Sequence, residues 1–150
     1  MKRRTLPALW LALFAGAGCG GEATGPGGIT ISDIAATWNA SQLLFTGIST
    51  SVQEDPIADG GSSVLTIQAS GQFTFSIDFV DGSSLSDSGS LEFDSENQDF
   101  LLVLFDGETV AEAYFFQLNG NAMSLNGLTE FDFDRDGTDE AASLIAAFLR

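Results

Sequence analysis

Phe73-Thr74-Phe75-Ser76-Ile77-Asp78-Phe79 alternates large apolar and small or polar residues at a period of two. A helix would scatter those apolar groups around its axis, so the pattern specifies a strand with one buried and one solvated side. Upstream, residues 64–69 form an apolar run with β-branched Val64, Thr66 and Ile67, ending at Ser70 and Gly71. Downstream, Asp81-Gly82 is a strong hairpin signal, after which Leu85, Gly89, Leu91 and Phe93 share one face of the next strand. Residues 94–97 turn the chain into the apolar run 100–105, and Asp106-Gly107 turns it again. Residues 109–118 follow, then a turn at Asn119, Gly120 and Asn121, then residues 123–133. With an opening strand at 37–46 and a closing segment at 141–150, the spacing predicts about eight strands. Residues 47–61 read as an irregular loop. Short links between successive strands imply an all-β, antiparallel up-and-down meander that closes into a barrel and so leaves no edge. The closing segment is open between strand and helix, because Ala141, Ala142, Leu144, Ile145, Ala146 and Ala147 include good helix formers.

Ahead of this domain, Lys2, Arg3 and Arg4 precede an apolar run, and the small residues Ala15, Gly16, Ala17 and Gly18 follow it. That is the layout of an export signal over residues 1–18, and its apolar part is short of the roughly 20 residues a spanning helix needs. Gly16-Ala17-Gly18-Cys19 resembles a bacterial lipobox, with Gly16 where Leu is usual; Ala15, Gly16 and Ala17 also fit ordinary secretory cleavage. The lipobox reading gives Cys19, the only cysteine, a role as the lipidated N-terminus. Gly20 after it resembles an outer-membrane sorting preference, which makes the expected address the bacterial cell envelope. Residues 19–28 then read as a Gly-rich flexible tether, and residues 29–150 as the folded domain.

Composition excludes much chemistry. The 150 residues hold 21 acidic and 5 basic side chains and no His. There is therefore no Ser-His-Asp triad, no imidazole base and no His-ligated metal. Without residues 1–18 only Arg135 and Arg150 face all the acids, which rules against nucleic acid as a partner and describes a self-repelling surface. Asp78, Asp87 and Glu112 interrupt strands without forming a recognisable acid–base pair, so no enzyme activity is expected.

Thr37 and Trp38, then Gly71-Gln72-Phe73-Thr74-Phe75, Ser88-Gly89-Ser90 and Asn121-Ala122-Met123-Ser124-Leu125, occur in an order and spacing that resemble the bacterial lipocalin-like lipoproteins. Ala36 and Thr37 stand where that family usually has Gly just before the Trp. The resemblance implies a small eight-stranded barrel more firmly than it implies an activity.

Such a barrel is either filled by its own side chains or holds one small ligand. In the second case Phe73, Phe75, Phe79, Phe93 and Phe115 line an apolar pocket and Trp38 closes one end. Asp132, Asp134 and Asp136 alternate ahead of Gly137, a spacing that fits a calcium loop with the Thr138 carbonyl and Asp139 or Glu140 completing it. The same residues also suit an acidic hairpin turn. The expected function is a lipid-anchored envelope protein that binds a small apolar ligand or serves as an interaction module. The alternative is a calcium-stabilised structural or adhesive domain.

Overall fold

The computed structural model describes residues 22–150. Its strands are β1 (Ala36–Gly47), β2 (Gln53–Glu54), β3 (Ser62–Ile67), β4 (Gln72–Asp78), β5 (Ser84–Phe93), β6 (Phe100–Phe105), β7 (Glu112–Asn119), β8 (Ala122–Phe131) and β9 (Glu140–Leu149). Each pairs antiparallel with its neighbour, and β1 pairs with β9 as well as with β3. The result is a closed, eight-stranded, lipocalin-like barrel, with two-residue β2 added to the far end of β1. β1 serves two neighbours because it changes partner along its length: residues 36–39 face β3, and residues 39–47 face β9 across a bulge between Ala40 and Gln42.

The period-two residues fill the interior as expected. Phe73 and Ile77 on β4 are buried, with Leu65 and Ile67 on β3, Leu91 and Phe93 on β5, and Tyr114 and Phe116 on β7. The expected turns carry the glycines that need a left-handed backbone: Gly82, Gly107 and Gly120 all have positive φ. The closing segment is a strand. Its good helix formers are overridden because β1 and β8 offer ladders on both sides and Ala142, Leu144, Ala146 and Phe148 meet the core.

One expectation is corrected at the N-terminal side. The Gly-rich stretch was expected to be a free tether, yet its described part is laid against the barrel. Gly25 is buried, and any Cβ there would overlap the Phe93 ring, so the missing side chain is what lets the segment lie flat. A turn at Pro26–Gly28 and a one-turn helix, α1 (Ile31–Ile34), follow. The Asp33 carboxylate fastens α1 by accepting from both the Thr30 N–H and its hydroxyl, each at 2.8 Å.

α1 closes the end of the barrel at which β1 begins. Ile31, Ile34 and Trp38 are buried together, and the Trp38 indole N–H donates to the Ile34 carbonyl at 2.9 Å. The Arg150 guanidinium covers the Trp38 ring at 4.6 Å and donates to the Asp33 carbonyl at 3.0 Å. Trp38 is thus a plug, held through its polar edge and its face at once.

Candidate functional site

Between that plug and the opposite end the side chains leave a hollow of about 60 Å³. Leu43, Leu65, Phe75, Val103, Leu125 and Leu144 are among its walls, and small Ala146 creates part of the space. Tyr114 contributes the one hydroxyl. That hydroxyl donates to the Glu112 carboxylate two residues earlier on the same face of β7. Burial, followed by the Glu112 charge, pushes its ionisation above the ordinary tyrosine range. It is therefore a fixed hydrogen-bond donor and not a base.

The far end of the barrel is covered by the segment linking β8 to β9. Phe131 stacks on Phe45 at 4.0 Å between ring centres, and Phe133 meets Phe131 edge-on at 5.0 Å. From the same segment Arg135 reaches across the opening. It pairs with Glu54 at 2.7 Å, donates to the Ser83 hydroxyl at 2.9 Å, lies 3.5 Å from Asp81, and stands 3.9 Å above the Phe79 ring. One side chain therefore ties the cover to β2 and to the β4–β5 hairpin. These contacts link residues more than fifty positions apart, so no local pattern announces them. The available signal was that Arg135 is one of only two cations after residue 18.

One carboxylate on β5 is held above its ordinary range. Asp87, expected to point outward or toward a turn, is exposed, in register with Phe75 on the side of β5 that carries Gly89 and Leu91. Burial, with the Asp139 charge as the second cause, raises its carboxyl above the ordinary 3.8. Folded Asp87 keeps its proton where the unfolded chain has released it, so its contribution to stability falls as pH rises from 3.8 through the raised value. Asp33 and Asp81 work the other way. Hydrogen bonds from Thr30 and Ser83 hold them below 3.8, and their contribution is lost as pH falls from 3.8 through those lowered values. Asp87→Asn is expected to remove the first limb and leave the second, read as urea-unfolding free energy between about pH 3 and 6.

Within the cover, one carboxylate oxygen each from Asp132, Asp134 and Asp136 lie within 4.8 Å of one another. Asp132 accepts the N–H groups of Asp136 and Gly137 at 3.2 and 2.8 Å, and Asp136 accepts that of Thr138 at 2.8 Å. Gly137 takes the positive φ this turn requires. Of the other expected ligands, Glu140 accepts the Phe133 N–H at 3.1 Å, while Thr138 and Asp139 are exposed, and the converging group holds only the three Asp.

The aromatic residues expected at a pocket separate into four groups. Phe73 and Phe75 line the hollow. Phe93 is buried against Phe116 and Gly25 toward the plugged end, with Trp38 beside α1. Phe79 lies beneath Arg135 at the cover. Phe115 does not face inward: it is 39% exposed on the outer wall, because Tyr114 and Phe116 take the inner positions of β7. Cys19 lies outside the described residues. No family model matches the chain, and no curated protein matches it.

Proposed function

We propose that this is a lipid-anchored protein of the bacterial cell envelope, kin to the lipocalin-like lipoproteins, whose barrel takes a small apolar group beneath the acidic cover. What supports it is the hollow itself, lined by Leu, Val, Ala and Phe, with the Tyr114 hydroxyl already donated to Glu112. About 60 Å³ is a fraction of the roughly 300–1,000 Å³ of pockets that engulf a drug-sized ligand. The group admitted is accordingly short, or the cover lifts to admit a longer one. Its walls are apolar apart from the Tyr114 hydroxyl, which Glu112 already satisfies, so filling it gains contacts at little loss of hydrogen-bonded water.

Xenon is the probe that matches this size and polarity. Under xenon pressure the methyl resonances of Leu65, Leu125 and Leu144 are expected to shift and saturate in the wild-type chain, while Ala146→Leu, which fills the hollow, abolishes the response and leaves the fold intact. Equal responses in the two chains would sink the proposal.

A second reading is favoured by the Asp132, Asp134 and Asp136 triplet, in which three carboxylate oxygens converge within 4.8 Å of one another. A calcium ion there would relieve their repulsion and stiffen the cover. Millimolar calcium is expected to raise the melting temperature relative to chelated protein, through preferential binding to the folded state. Coincident melting curves would remove the structural-calcium version.

A further inference from the structure

The run Phe100–Phe105 is apolar at every position. Only half of that is needed inside, where Leu101 and Val103 are buried. The outward half, Phe100, Leu102 and Leu104, belongs to a barrel wall that in an antiparallel sheet is ordinarily polar. It is extended on β7 by Ala113, which pairs with Leu102, and by Phe115, whose ring meets Phe100 edge-on at 5.9 Å. Val110, 76% exposed, follows in the adjoining loop. A contiguous apolar surface of this kind, half-buried at Phe100, Leu102 and Leu104 and exposed at Phe115 and Val110, marks a contact site.

The chain enters the barrel beside this wall. Glu22 and Ala23 line the same surface depression as Leu102, Leu104 and Ala111, about 420 Å³ in volume. Cys19 precedes Glu22 by three residues, which span at most about 11 Å whatever their conformation. Because Gly25 is fixed on Phe93, the barrel cannot swing away on a long leash.

We propose that the outer β6–β7 wall is the membrane-facing side of the protein, lying on a neutral bilayer surface next to the anchored N-terminus. This rests on the lipid-anchor reading of Cys19. Stable attachment commonly combines an acyl anchor with a second contact, and here that contact is apolar because the anchored chain, without residues 1–18, sets only Arg135 and Arg150 against 21 acidic side chains and is repelled by anionic headgroups. Ile145 on β9, 43% exposed, is an apolar residue two strands round the barrel from β7.

The test uses the full-length lipidated chain on phosphatidylcholine vesicles, with one added thiol at a time: Val110→Cys, Phe115→Cys or Ile145→Cys. The thiol of Cys19 is consumed by the lipid, so a bilayer-impermeant maleimide reports only the added site. The same substitutions combined with Cys19→Ser give the soluble reference. Labelling at 110 and 115 is expected to slow several-fold on vesicles, with 145 unchanged. Chains that float with the vesicles but label equally at all three sites overturn the wall and spare the anchor. Chains that do not float overturn the anchor and the wall with it. Slow labelling at 110 and 115 already present in the soluble reference, and growing with protein concentration, assigns the wall to a second copy of the chain and overturns the bilayer as its partner.

Discussion

Trp38→Ala is expected to cost about 3–5 kcal/mol of folding stability and to lower the melting temperature by roughly 10–20 °C. Three losses combine at this position. The ring is fully buried among residues of the plugged end, so its removal leaves a cavity that the closed ladder cannot collapse to fill. The Ile34 carbonyl loses its indole donor in a buried setting. Arg150 loses the ring face on which it stands, and with it part of the tie between the C-terminal residue and α1. Trp38→Phe retains most of the volume and forfeits the hydrogen bond, so it should fall between the two. Denaturant unfolding of all three chains provides the measurement, and a loss below about 1 kcal/mol for the alanine variant would show that the plug is dispensable.

The second large effect comes from adding atoms. Gly89 lies on the inner face of β5 in register with Phe73 and Phe105. A Cβ there would overlap the Leu104 carbonyl oxygen and stand 3.0 Å from Phe105 Cα, both backbone groups of the neighbouring strand. Nothing flexible can yield, so Gly89→Ala must part β5 from β6. Overpacking of this sort typically costs about 1–3 kcal/mol and occasionally more; the backbone nature of the clash puts this site at the upper end. Ser88→Ala, one residue away on the outer face, removes only the exposed hydrogen bond to Asp106 and serves as the comparison. Equal melting temperatures for the two variants would mean that β5 can shift freely.

The fold was legible where local chemistry and global structure agree. Phe73, Phe75 and Ile77 announce a strand because each inner position is apolar and each outer one polar, and Asp81-Gly82 announces its turn because only a residue like glycine accepts the backbone there. β7 shows where such reading stops. Tyr114, Phe115 and Phe116 are aromatic on both faces, so no alternation tells which face is inner, and Phe115 was expected on the wrong one. The strand identity of β9 depends on partners nearly a hundred residues away in β1 and adjacent in β8. The packing of Gly25 on Phe93 is equally non-local, and composition alone suggested freedom. Of the candidate site, Asp132, Asp134 and Asp136 were legible because their convergence is a local turn. The clasp of Arg135 was not, because its partners Glu54, Asp81 and Ser83 belong to other elements.

The pairing of β1 with β9 sets a timetable for the molecule. A chain delivered from its N-terminus, by a ribosome or through a translocation pore, presents β1 first and β9 last. Until that final strand arrives, residues 39–47 have no ladder on one side, β8 has an open edge, and the inner faces of both are wet. Such intermediates adhere to other chains readily. The same delay keeps the nascent polypeptide pliable enough to be threaded. Premature termination anywhere before residue 140 would leave a sheet that lacks β9 and cannot close, which makes β9 the quality check on all the strands before it.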